Sequence, residues 1–152
     1  MAALRRVALL DVNVLVALFD AGHIHHEVAH DWFTDQRAHG WATCPVTENG
    51  FIRVASNPAR GLEGFRPEAA AARLRKFAGS GHHTYWPEAV SLTDTALFNL
   101  PAMAGHGQVT DVYLLGLAVK MKGCLATFDR GIPIEAVKGA TTQALQVIAP
   151  LG

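Results

Sequence analysis

Apolar residues recur along this chain in two rhythms, short unbroken runs and helical stripes, and the two alternate. Val7 to Leu10 is a run of strand length, and Val12 to Phe19 is apolar enough to form a short buried helix, with Asp11 at the junction. From His25 to His39 the apolar residues Val28, Ala29, Trp32 and Phe33 return at helical spacing, and Gly40 closes the pattern. Trp41 to Cys44 reads as a second strand. Pro45 suits the first turn of a helix over Val46 to Ala55, which Asn57-Pro58 breaks.

Residues 57 to 66 lack periodicity and read as a loop, after which Pro67 opens an Ala-rich helix to about Ala78, ended by Gly79-Ser80-Gly81. Thr84-Tyr85-Trp86 is a short aromatic strand, and Thr93 is placed to cap a short helix through Asn99. A loop containing Gly105 and Gly107 follows. From Val109 to Lys122 the positions Val112, Leu114, Leu115, Leu117, Ala118 and Met121 predict a strongly buried helix, with Thr110 as its cap and Gly123 as its stop. Cys124 to Thr127 and Leu145 to Ile148 complete the strands. Strands alternating with helices imply an α/β fold, with a central, mostly parallel sheet of four to five strands covered on both faces.

Composition narrows the function classes. Half of the 152 residues are hydrophobic, ample for the core of one domain over residues 1–152. No apolar run approaches the roughly 18 residues of a membrane span, and the opening segment reads as a strand rather than a leader peptide. Cys44 and Cys124 fit neither a disulfide framework nor a zinc-ligand spacing, so a cytoplasmic protein is expected. A formal net charge of zero removes the simplest case for nucleic-acid binding and shifts attention to local charge. Arg53, Arg60, Arg66, Arg73, Arg75 and Lys76 outnumber Glu63 and Glu68 between the second strand and the third, forming either a solvated face or a guide for the phosphates of a nucleic acid.

Sites in parallel α/β sheets form beyond the carboxyl ends of the strands. Asp11 follows the first strand, Glu48 lies in the first turn after the second, and Asp129 stands two residues past the late strand. Asp111 opens the buried helix that leads into that strand, which starts at the same edge. Each acid has an ordinary alternative: turn bonding for Asp11 and Asp129, a favourable helix N-terminus for Glu48 and Asp111. Together they are costly, because two unit charges about 5 Å apart repel by roughly 3 kcal/mol at an effective dielectric of 20. Oxygen-only ligands favour Mg²⁺ or Mn²⁺, and the chemistry implied is phosphoryl transfer to water. Asn13 and Thr127 are polar neighbours able to orient a carboxylate or a water, or simply to cap.

Of the early histidines His23, His25, His26 and His30, the pair His25 and His30 stands five apart rather than at the i, i+4 spacing of a metalloprotease motif, and the group is expected at an exposed or interface-facing helix end, with His26 able to hydrogen-bond within the fold. His82-His83 and His106 are expected in loops.

The motifs Leu10-Asp-Val-Asn-Val-Leu15, Cys44-Pro-Val-Thr-Glu-Asn-Gly-Phe51, Val109-Thr-Asp111 and Leu125-Ala-Thr-Phe-Asp-Arg-Gly131 together resemble the PIN-domain family, in particular the VapC-type toxins of bacterial toxin–antitoxin systems. His25-His26, Trp32 and Ser56-Asn57-Pro58 also look like that branch. The resemblance implies a three-layer α/β/α PIN-like domain and an endoribonuclease that binds Mg²⁺ or Mn²⁺ through Asp11, Glu48, Asp111 and Asp129. It also implies an RNA substrate, a homodimer and a VapB-like antitoxin, with Arg53, Arg60 and Arg73 as candidate contacts to RNA or antitoxin. Two alternatives stay open: a Mg²⁺-dependent phosphatase or phosphoacceptor domain, and a non-catalytic PIN-like binding module.

Overall fold

A computed structural model describes residues 5–59, 62 and 65–149. Five parallel strands form one sheet: β1 (Ala8–Leu10), β2 (Trp41–Thr43), β3 (His83–Tyr85), β4 (Cys124–Thr127) and β5 (Leu145–Val147), in the spatial order β3-β2-β1-β4-β5. The chain walks from β1 outward to β3, then returns to the other side of β1 for β4, so the strand order reverses between β1 and β4. Asp11 and Asp129 both leave the sheet at that reversal.

Alternation along each strand sends side chains into two separate cores. Ala8, Leu10, Trp41, Cys124 and Ala126 face one core, which α1 (Val12–Phe19), α2 (His26–Gln36), α3 (Pro45–Ala55) and α4 (Pro67–Ala78) close with Val14, Leu15, Phe33, Phe51 and Leu74. Leu9, Ala42 and Leu125 face the other, covered by α5 (Val109–Lys120) through Val112, Leu114, Leu115 and Leu117. This is the expected three-layer arrangement. Strands with no exposed face read as apolar runs, as β1 does throughout and β4 does up to the buried Thr127 at its carboxyl end. Gly50 lets α3 press onto α1, since a Cβ there would lie 2.6 Å from Val12 Cγ2. That close approach seats the middle of α3 against the first turn of α1.

Three expectations fail for identifiable reasons. No helix follows Thr93: Asp94 Oδ1 instead accepts from the Ala96 amide at 2.9 Å, and Phe98 pairs with Val137 in an isolated antiparallel bridge. Thr110 does not cap α5, because a 3-10 turn over His106–Gln108 feeds the helix directly and places Gln108 at the cap position. Gly123 is not the left-handed residue that stops α5; Lys122 takes that conformation, at φ 59°. Gly123 is needed for space, since a Cβ would fall 2.5 Å from the Val7 carbonyl oxygen. No helix among the described residues is long and apolar enough to cross a membrane.

Candidate active site

The site is assembled from the ends of two strands and the starts of two helices. Asp11 caps α1: its Oδ1 accepts from the Val12 amide at 2.8 Å, and its own amide donates to the Ala126 carbonyl of β4 at 3.0 Å. Its Oδ2 accepts from the Thr127 hydroxyl at 2.7 Å, and the Thr127 oxygen accepts in turn from the Asp129 amide at 3.1 Å. Thr127, fully buried at the end of β4, therefore couples two acids. Beyond it, Asp129 Oδ1 accepts from the Gly131 amide at 2.7 Å. Gln108, just before α5, donates to the Gly131 carbonyl at 3.0 Å, which ties the start of the Asp111 helix to the Asp129 turn.

Asp11, Asp111 and Asp129 line one open depression of about 390 Å³, together with Val12, Asn13, Val16, His23 and Val54. Crowding shows in the acidities of Asp111 and Asp11. Burial, then the charges of Asp11 and Asp129, then a hydrogen bond with Asp129 push Asp111 up to about 7. Burial also raises Asp11, against the lowering pull of its bonds to Thr127 and Val12, and Asp129 adds to the rise. Asn13 Oδ1 is buried without a hydrogen-bond partner. An orphaned oxygen beside carboxylates that resist ionisation is a donor set suited to a hard cation. Among the described residues, no three His, Cys, Asp or Glu side chains already converge at ligand separation.

Glu48 stands apart from the three aspartates. Its Oε2 accepts from the Thr43 hydroxyl at 2.7 Å, and Thr43 also contacts His83 Nε2 at 2.7 Å. Arg53 is exposed in the last turn of α3, and Arg73 is exposed on α4 with its guanidinium 5.7 Å from the Phe65 ring centroid. Neither lines the depression. Arg60 lies outside the described residues.

The placement of three histidines was not foreseen from the sequence. His23 lines the depression, and His25 stacks on Phe128 with ring centroids 4.6 Å apart, although the connection between α1 and α2 carries no pattern that would foretell it. His83 belongs to β3 rather than a loop, and only the pairing of β2 with β3 reveals its approach to Thr43. His26 Nδ1 and His30 Nε2 meet the Ala17 and Leu18 carbonyls at 2.7 and 2.9 Å, so these two secure the end of α1.

Comparison with known proteins agrees with this geometry. The PIN domain profile matches residues 8–138. Ribonuclease VapC44 of Mycobacterium tuberculosis is 43% identical over 141 residues, covering 93% of this chain and 99% of that protein. Ribonuclease VapC39 of the same organism is 40% identical, covering 87% and 95%, and ribonuclease VapC38 is 44% identical, covering 83% and 87%. The chain belongs to the PIN-domain family, in the branch that the VapC ribonucleases represent.

Proposed function

We propose that this protein is an endoribonuclease that hydrolyses RNA phosphodiester bonds with a divalent cation, Mg²⁺ or Mn²⁺, and serves as the toxin of a VapBC-type pair. The observation that carries it is the meeting of Asp11, Asp111 and Asp129 in one depression, with Asp111 pushed up to about 7. Glu48, in the first turn of α3 after the neighbouring strand β2, is the fourth acid of the proposed site. Kinship with proteins named ribonucleases favours RNA over a small phosphomonoester as substrate.

Asp11, Asp111 and Asp129 would hold the cation together with Glu48, with Asn13 Oδ1 beside the aspartates. When bound, such a cation neutralises charge on the phosphate and makes a water more acidic. The chain's own contribution is orientation. Thr127 holds Asp11 and the Asp129 backbone in a fixed relation, and Gln108 fixes the start of α5 against the Asp129 turn. No Ser, Cys or His in the depression is paired with a base as an activated nucleophile, which favours direct attack by water.

An acidic site invites an inhibitor of opposite sign. A VapB-like antitoxin segment that places a basic side chain among the aspartates would block cation and RNA together. A homodimer in the cytoplasm completes the proposal. The test is cleavage of total cellular RNA with and without EDTA, comparing wild type with Asp11→Asn by end mapping. Discrete new ends that vanish with EDTA and in the variant are expected; equal cleavage by the variant overturns the assignment.

A further inference from the structure

The two threonines that end β2 and β4 do the same job on opposite sides of β1. Thr127 and Thr43 are both fully buried, and each hydroxyl lies 2.7 Å from a carboxylate oxygen, of Asp11 and Glu48 respectively. A hydroxyl has one proton to give, so its orientation depends on what donates to it from behind. For Thr127 that donor is the Asp129 amide. For Thr43 it is His83.

The direction of the second network follows from proton counting. The Thr43 hydroxyl donates its one proton to Glu48 Oε2, so at its 2.7 Å contact with His83 Nε2 it can only accept, which calls for the tautomer with the proton on that nitrogen. The bonds therefore run from imidazole N–H to hydroxyl to carboxylate. His83 is well placed to stay there. The parallel register sets it opposite Trp41, and Thr43 follows two residues along the same face of β2. Its ring rests on that of Trp41, centroids 4.6 Å apart, and Trp41 is fully buried with its Nε1 donating to the Gly81 carbonyl at 3.0 Å. Burial lowers the His83 pKa, against a raising influence of Glu48, which is consistent with a neutral ring.

We propose that His83 is a positioning residue for Glu48, acting through Thr43 to fix the direction in which the carboxylate is presented at the acid site. This rests on the reading of the four acids as one nuclease site. A glutamate has three side-chain torsions to freeze when it takes up a ligand, and one already held loses less freedom on binding. Asp11 gains the same benefit from Thr127 with a shorter side chain.

The test uses the full chain, Mn²⁺ as the binding probe, and a short RNA spanning a cleavage site mapped on the wild type. His83→Phe keeps a ring against Trp41 and removes the donor, so about 10-fold weaker Mn²⁺ binding or an equal fall in kcat is expected, with KM little changed. His83→Gln, whose amide N–H reaches the place of Nε2, restores most of the loss; His83→Asn, too short to reach, does not. Should the phenylalanine variant fold poorly by thermal unfolding, the Gln and Asn pair decides the matter. Thr43→Val combined with His83→Phe is no worse than Thr43→Val alone, because both cut one chain. Wild-type values for His83→Phe, equal damage in the Gln and Asn variants, or additive losses overturn the proposal. Asp111→Asn, assayed alongside, separates the failures: if it cleaves RNA normally, the nuclease-site reading falls and the His83 proposal with it. If it is inactive while His83→Phe matches the wild type, only the His83 proposal falls.

Discussion

The two ends of the sheet are built on opposite electrostatic terms. At the amino end donors meet acceptors: Gln36, 1% exposed, gives its amide protons to the Arg6 and Gly40 carbonyls at 2.7 and 3.0 Å. Arg6 reaches Gln143 Oε1 at 3.2 Å, and the Trp41 indole N–H reaches the Gly81 carbonyl. At the carboxyl end like meets like, with three aspartates around one depression and an unpartnered Asn13 oxygen among them. Buried polar groups that satisfy one another stabilise a fold, whereas crowded carboxylates oppose it and persist where a ligand will relieve them.

Substitutions at the two ends should therefore separate activity from stability. Asp111→Asn removes a charge from the crowded edge; cleavage of RNA should fall by about 100-fold or more, several kcal/mol of transition-state stabilisation. Its thermal midpoint, measured without divalent cation at pH 8, should stay level or rise. A lower midpoint with intact cleavage would erase the contrast between the two ends. Thr127→Val leaves every acid in place but frees Asp11 from its hydroxyl partner, so a smaller loss of about 10- to 100-fold in activity or Mn²⁺ affinity is expected.

Gln36→Ala inverts the pattern. It strips two carbonyls of a buried donor and should cost about 1–3 kcal/mol of unfolding free energy in a urea titration. Cleavage per folded molecule should not change. A fall in turnover comparable to that of Thr127→Val would mean that the amino end also shapes the site.

The sequence made the crowded edge more legible than the paired one. Asp11, Asp111 and Asp129 could be placed together because each follows a strand or opens a helix at a known end of a parallel sheet, and apolar runs locate those elements. The partners of Glu48 could not, because His83 is 35 residues away and meets Thr43 only through the register of β2 with β3. His23 reaches the depression from the aperiodic connection between α1 and α2, where no spacing rule operates. The helix expected after Thr93 failed for a similar reason: the Asp94 side chain competes for the Ala96 amide, and the Phe98 bridge to Val137 is a tertiary contact. Lys122 took the left-handed turn expected of Gly123 because the glycine was needed against the Val7 carbonyl.

The smallest expected effect concerns pH, and its sign distinguishes crowding from ordinary pairing. Asp111 has its pKa raised on folding, from 3.8 to about 7, by burial and the charges of Asp11 and Asp129. Below 3.8 the carboxyl is protonated in both states and its contribution to stability is fully present. As pH rises toward 7 the unfolded chain has lost the proton that the folded chain keeps, so the contribution drains away and is gone above that value. A carboxylate held by a salt bridge would behave the other way, losing stability as pH falls. In the absence of divalent cation, the wild-type thermal midpoint should therefore decline relative to that of Asp111→Asn between pH 5 and 7. The difference should be modest, because the side chain is partly exposed and solvent screens it. Mg²⁺ should offset the decline, raising the wild-type midpoint more at pH 8 than at pH 5, since deprotonated carboxylates bind it and protonated ones do not. Parallel pH profiles for the two proteins would mean that Asp111 does not share the repulsion, and the carboxyl edge would then rest on Asp11 and Asp129 alone.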